Sequence, residues 1–115
     1  MDKENRDPKY VESIVSRSQK IVDKLGINDA KVAEDVRNVI ANRYFTLNDI
    51  YETRDAKVKE IKESDLVGEA KNNALKAAED AKDAALYRIH FAFPADLSLF
   101  LTEEQIEAVK DGMTY

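Results

Sequence analysis

The segment from Asn28 to Lys62 has the sequence NDAKVAEDVRNVIANRYFTLNDIYETRDAKVKEIK, which contains neither proline nor glycine. Its larger apolar residues recur mostly in steps of three and four, the spacing of one face of an α-helix. They are Val32, Val36, Val39, Ile40, Tyr44, Leu47, Ile50, Tyr51, Val58 and Ile61. The segment therefore predicts one continuous helix, roughly 50 Å long at the usual rise per residue, with an apolar face for the flanking segments.

The flanking segments carry the signals that begin and end helices. Asp7 followed by Pro8 predicts the start of a first helix, and Gly26 predicts its end. Asn28 is the expected N-cap of the long helix. Residues 63–68 predict a turn, because they include serine, aspartate and glycine, which are poor in helix interiors.

An alanine-rich segment follows this turn and predicts a third long helix from about Glu69. Pro94 is expected to kink or restart the helix, since proline removes a backbone N–H and clashes with the preceding turn. Thr102 and Gln105 form a capping-box pattern that predicts a short last helix closed by Gly112. The predicted fold class is all-α: an antiparallel helical bundle of three long helices plus a short C-terminal helix.

The composition indicates one helical domain over residues 1–115. It also argues against nucleic-acid binding, a transmembrane helix, disulfides and thiolate metal sites. Charged residues make up 36% of the chain and hydrophobic ones 43%, and the net charge is −5. This negative charge argues against nucleic acid as a partner. No apolar run approaches the ~20 residues of a transmembrane helix. Because there is no cysteine, disulfides and thiolate metal sites are excluded.

Most aromatic residues are expected in one layer of the bundle. Short turns make neighbouring helices antiparallel, so positions 10, 44 and 88 should lie at the same level. The candidate binding residues in this layer are Tyr10, Arg43, Tyr44, Tyr87 and His90. Two interpretations stay open: a filled core layer, or a pocket for a planar ligand such as a sugar or a peptide aromatic.

The sequence contains no strong catalytic or metal-binding pattern. His90 is the single histidine, which is poor evidence for a metal site without cysteine or a second histidine. Asp49 and Glu52 are three residues apart on the long helix, where a solvated acidic face is the common arrangement. We therefore predict no catalytic residue, no metal and no cofactor, which favours a protein that is not an enzyme without deciding the question.

Two segments carry a family resemblance. One is LNDIYETRDAK at residues 47–57, and the other runs from LTEEQ at residues 101–105 to VKDGMTY at residues 109–115. They resemble segments of a secreted family of unknown function from Bacteroidetes, written LNDI…RDAK and LTPEQ…VKDGMTYG. Members usually begin with a signal peptide and continue beyond this point. The resemblance implies a periplasmic or extracellular protein of which this chain is the N-terminal part, although the residues themselves are equally compatible with the cytoplasm.

The segment LTEEQ also resembles, more loosely, the LTxxQ motif of periplasmic stress proteins, some of which are chaperones. Three hypotheses follow. The first is an exported, non-catalytic module that binds an unknown protein or small ligand, or forms a homo-oligomer. The second is an accessory protein or enzyme of carbohydrate metabolism that uses the aromatic layer. The third is a chaperone-like holdase.

Overall fold

The computed structural model describes residues 6–113, and every regular element within that range is an α-helix. The helices are α1 (Pro8–Asp23), α2 (Ala30–Glu63), α3 (Gly68–His90), α4 (Ala92–Leu97) and α5 (Glu103–Met113). The all-α prediction, with three long helices and a short C-terminal one, is confirmed. Within residues 6–113, no helix combines the length and the apolar character that a bilayer span requires.

The long helix α2 is continuous over 34 residues, as predicted. Its N-cap, however, is Asp29, and the prediction of Asn28 was wrong by one residue. The Asp29 carboxylate accepts hydrogen bonds from the backbone N–H groups of Lys31 at 2.9 Å and Val32 at 3.3 Å. A carboxylate suits this position because it satisfies free N–H groups and also interacts favourably with the positive end of the helix dipole.

The boundaries of α1 follow the sequence signals. Asp7 caps the helix by accepting a hydrogen bond from the backbone N–H of Lys9 at 2.9 Å, and Pro8 is the first helical residue. Gly26 lies in the turn that follows and has a φ of +68°, a left-handed conformation that glycine adopts without steric cost. These local interactions define the first helix and its exit.

The chain packs as two compact units. The first consists of the described parts of Met1–Phe45 and Ala92–Tyr115, and the second is Thr46–Phe91. Helix α2 contributes its N-terminal part to the first unit and its C-terminal part to the second. The expectation that residues 1–115 form a single domain stays a prediction.

The first unit has a well-formed hydrophobic core, supplied by α1, α2, α4 and α5. Its buried members are Ile14, Ile21, Val22, Val36, Ile40, Ala41, Tyr44, Phe45, Phe93, Leu97, Leu101 and Val109. Ser18 is fully buried on the apolar stripe of α1. Its hydroxyl donates a hydrogen bond of 2.8 Å to the carbonyl oxygen of Ile14, so this buried polar group is satisfied within the helix.

Helix α5 begins with the predicted capping box. The backbone N–H of Thr102 donates to Gln105 Oε1 at 3.0 Å, and the backbone N–H of Gln105 donates to Thr102 Oγ1 at 3.2 Å. Gln105 Nε2 also donates to the carbonyl oxygen of Leu25 at 3.2 Å. One side chain thus serves the start of α5 and the exit from α1 at once.

The end of α5 differs from the prediction. The helix continues through Gly112 to Met113, so the expectation that Gly112 ends it was wrong. A Cβ atom at Gly112 would lie 3.2 Å from Cγ1 of Ile21, which is closer than most Cβ contacts, so a side chain here would require Ile21 to shift by a few tenths of an ångström. Residues 114 and 115, which complete the VKDGMTY segment, lie outside the described residues.

The second unit is a hairpin of the C-terminal part of α2 and helix α3. The turn predicted at residues 63–68 is present, and Gly68 begins α3 with a φ of +59°. Its described residues bury few side chains, chiefly Ile61 and Ala78. The two helices are linked by an ion pair of 2.9 Å between Arg54 Nη1 and Glu79 Oε1.

Helix α3 ends at His90, and the next helix begins at Ala92. Pro94 lies in the first turn of α4, where its missing N–H would have had no partner within the helix. The expectation that Pro94 restarts the helix is therefore confirmed.

Candidate functional site

The five predicted binding residues lie in both units. Tyr10, Arg43 and Tyr44 belong to the first unit, and Tyr87 and His90 belong to the second. Tyr44 is buried and Tyr10 and Arg43 are partly buried, whereas Tyr87 and His90 are exposed. That all five residues form one binding layer stays a prediction.

The aromatic residues of the first unit form a filled core. Only 7% of Tyr44 and 1% of Phe45 is exposed, and the rings of Tyr10 and Phe45 are 5.8 Å apart. The guanidinium of Arg43 lies 5.2 Å from the ring centre of Phe93, and burial lowers the pKa of Arg43. Cation–π contacts of this kind hold arginine side chains against the rings. Within this unit the core interpretation therefore describes the residues better than a pocket does.

The aromatic residues of the second unit are exposed. Tyr87 is 71% exposed and Phe91 is 66% exposed, at the C-terminal end of α3. The rings of Tyr87 and Phe91 meet edge to face at 6.2 Å, and those of His90 and Phe91 do so at 4.8 Å. The perpendicular rings form an aromatic edge, defined here as Tyr87, His90 and Phe91, that can contact apolar or sugar surfaces.

A groove between α2 and α3 of the hairpin has a volume of about 950 Å³. We call it the hairpin groove. Its apolar lining consists of one isoleucine and small side chains: Ile50, Ala56, Ala74, Ala77, Ala78, Ala81 and Ala85. Grooves of this size and composition accommodate apolar side chains of a ligand or partner.

Charged residues border the hairpin groove and are linked to one another. Glu79 accepts hydrogen bonds from Lys82 at 3.0 Å and from Arg54 at 2.9 Å. Hydrogen bonds from Lys82 and then Arg54 lower the pKa of Glu79. The pKa of Arg54 is raised, first by Asp55 and then by Glu79, and that of Lys82 is raised, first by Glu79 and then by Asp83. The network keeps these groups charged at neutral pH.

This network does not resemble a catalytic centre. Glu79 is an ion-paired acid whose pKa is lowered, whereas a general acid requires a pKa raised toward neutrality. Across residues 6–113, no group of three or more histidine, aspartate or glutamate side chains is arranged to hold a metal ion. The arrangement is suited to binding an apolar surface with a charged border.

Sequence reasoning did not single out the hairpin groove, although a signal was available. Alanines on α3 follow a coiled-coil spacing of alternating four and three residues, which Arg88 and Phe91 continue at and just beyond the C-terminal end of the helix. The positions of this series are Ala70, Ala74, Ala77, Ala81, Ala84, Arg88 and Phe91. All of them except the partly buried Ala74 are exposed in the hairpin. A stripe of this spacing is of the kind against which another helix can pack.

The comparison with known protein families gives one result. Residues 11–115 match the family described as "Protein of unknown function (DUF3826)". The chain belongs to this family. The match includes α1, in which it begins at Val11, and the whole hairpin and α5, so DUF3826 comprises both compact units. No curated protein matches the chain.

Proposed function

We propose that this DUF3826 protein is an exported, non-catalytic helical module that binds an amphipathic helix of a partner protein. The binding surface is the hairpin groove of residues 46–91. The observation that carries this proposal is the groove itself, an apolar depression of about 950 Å³ that remains open within its unit. A partner helix with apolar residues at three-and-four spacing is the complementary shape.

The distribution of exposed apolar residues supports this location. Among the described residues, the large hydrophobic side chains that are exposed fall mainly in the second unit. Those of the second unit are Tyr51, Leu66, Val67, Tyr87 and Phe91, and Leu99 belongs to the first unit. Concentrated exposed apolar surface is typical of interaction sites in proteins.

The length of the alanine stripe fits a helical partner. From Ala70 to Phe91 the stripe covers 21 residue steps, about 31 Å at 1.5 Å each. Alanine side chains allow two helix axes to approach to the lower end of the usual 8–10 Å separation. A partner helix of several turns can therefore lie along α3 with its larger side chains in the groove.

Export is the second part of the proposal. It rests on the resemblance of residues 47–57, 101–105 and 109–115 to secreted Bacteroidetes proteins. We expect the protein of the native cell to fractionate with the periplasm or the medium. Its recovery in the cytoplasmic fraction, with a cytoplasmic marker as reference, would refute this part and leave the groove proposal untouched.

Site-specific cross-linking tests the binding surface. The chain contains no cysteine, so a single one can be introduced without removing others. Ala77→Cys carries a thiol-coupled photo-cross-linker into the groove, and Lys76→Cys places it on an exposed neighbouring residue that does not line the groove. We expect one defined adduct from Ala77→Cys in native cells, whose cross-linked peptide is an amphipathic helix, and none from Lys76→Cys.

A blocking variant completes this test. Ala81 is exposed and lines the groove, so Ala81→Arg fills the groove without removing a core contact. We expect it to abolish the adduct formed by Ala77→Cys, whereas Asn72→Arg, on an exposed position outside the groove, preserves it. Equal adducts from both cysteine positions, or an adduct that survives Ala81→Arg, would refute the proposed surface.

The exposed aromatic edge favours a second candidate function in carbohydrate metabolism. Tyr87 and Phe91 expose most of their surface, and aromatic faces contact the apolar faces of sugar rings. Titration with oligosaccharides, followed by amide NMR, tests this candidate. Shifts confined to residues 87–91 that disappear in Tyr87→Ala would support it, and an unchanged spectrum at millimolar sugar would remove it.

A further inference from the structure

A second concave surface lies in the first unit, between α1 and α5. This cleft has a volume of about 670 Å³. Its apolar floor contains Ile21, which is 7% exposed, and the partly buried Leu25, with Ala108 of α5 opposite. Gly112, where α5 lies against Ile21 of α1, also lines the cleft. The cleft is thus a separate feature from the hairpin groove.

The border of this cleft is basic, although the protein as a whole is acidic. Arg17, Lys20 and Lys24 line it from α1 and its C-cap, whereas Asp111 is the one acidic residue among the described residues that line it. The whole chain has 23 acidic and 18 basic residues, so a three-to-one basic excess reverses the general balance. The spacing of three and four residues places the cations in one row, about 10 Å long.

The two lysines of this row are available to a ligand. Among the interactions of residues 6–113, neither the Lys20 nor the Lys24 ammonium forms an ion pair, whereas Lys31 and Lys82 are paired with carboxylates. The guanidinium of Arg17 lies 5.7 Å from the ring centre of Tyr44, which orients this cation beside the core. Lys20 and Lys24 therefore present charge that the described residues do not neutralise.

We infer that the α1–α5 cleft binds an acidic amphipathic peptide segment of a partner protein. The row of cations is complementary to carboxylates spaced by three and four residues on a helix, and the floor accepts the apolar side chains between them. Nucleic acid and anionic membrane are disfavoured, because the net charge of −5 repels extended anionic surfaces beyond this short row. This inference is independent of the hairpin groove.

Titration of the full chain with a synthetic peptide tests the inference. The probe is an amphipathic helical peptide of leucine and glutamate, and its control is the leucine–lysine peptide of equal length. We expect the acidic peptide alone to bind, with amide NMR shifts confined to residues 17–25 and 105–112. The affinity should fall with added salt, because exposed charges are screened.

Matched variants separate the cleft from general electrostatics. We expect Lys20→Gln with Lys24→Gln to weaken binding roughly tenfold, since each exposed charge pair contributes modestly. Lys59→Gln with Lys62→Gln makes the same charge change on exposed residues of α2 outside the cleft, and it should change affinity less than about twofold.

A substitution at Ala108 tests whether the apolar floor of the cleft takes part in binding. Ala108 is exposed and lines the cleft, so Ala108→Glu should abolish binding while the equally exposed Ala95→Glu leaves it intact. Equal weakening by both lysine pairs, shifts spread over both units, or no binding at millimolar peptide would each refute the inference. Binding to phosphatidylglycerol vesicles without binding to the peptide would refute it in favour of a membrane.

Discussion

The contrast between the two parts of α2 can be measured with one substitution made at two positions. Ile40 is fully buried in the first unit, whereas Ile50 is half-buried and borders the open hairpin groove. Ile40→Ala and Ile50→Ala remove the same atoms from the same helix. Any difference between the two free energies of unfolding therefore reports the surroundings of each side chain.

The structure sets the size of the difference. Removing three buried carbons costs about 2.4 kcal/mol at 0.8 kcal/mol each, and the cavity left by Ile40 raises the total to about 3–4 kcal/mol. At Ile50 about half of the transfer cost applies, and no closed cavity forms, so we expect about 1 kcal/mol.

Urea denaturation followed by far-UV circular dichroism measures both losses. For a chain of this length, the expected losses correspond to a fall in Tm of about 12–16 °C for Ile40→Ala and about 4 °C for Ile50→Ala. Equal losses at the two positions would refute the reasoning. A large loss at Ile50 would show that the hairpin groove is covered in solution.

Three further predictions concern local interactions. Gly26→Ala should lower the free energy of unfolding by about 1–2 kcal/mol, because residue 26 has a φ of +68°. Gly26→Asn should lower it less, and thermal unfolding measures both. An alanine variant as stable as the parent would contradict this prediction. Thr102→Ala should cost about 1 kcal/mol through loss of the N-cap, with Thr102→Ser near the parent; an alanine variant as stable as the parent would refute the cap. Because the folded pKa of Glu79 is lowered, its stabilising contribution is present above the ordinary glutamate pKa of about 4.3 and disappears as the pH falls through the lower folded pKa. The stability difference between parent and Glu79→Gln should therefore be larger at pH 7 than in acid, and a constant difference would contradict the assignment.

Much of the helical architecture was predictable from sequence because it depends on neighbouring residues. The sequence correctly predicted four features: the continuous helix α2, the N-cap at Asp7, the turn before Gly68 and the capping box at Thr102. The error at the start of α2 arose because two neighbouring residues are equally suitable as its N-cap. Asn28 and Asp29 are both good caps, and the choice between adjacent cap residues depends on where the chain enters the helix.

Gly112 shows a limit of the same reasoning. A glycine near the end of a helical pattern usually marks its end, but here α5 continues through Gly112, and Ile21 of α1 lies against that position. The sequence contains no sign of this contact, since the two residues are far apart along the chain. The same limit applies to the predicted binding residues. Tyr44 is buried and Tyr87 is exposed, and this difference could not be read from the sequence.

The sequence by itself determined which segments are helical, where most helices begin, and that the protein is acidic and all-α, because periodicity, caps and charge are properties of nearby residues. Only the tertiary structure decided which apolar stripes are covered. The first unit packs its stripe into a closed core, whereas the hairpin leaves its alanine stripe open. Burial depends on which distant segments meet, and alanine spacing looks the same whether or not another helix covers it.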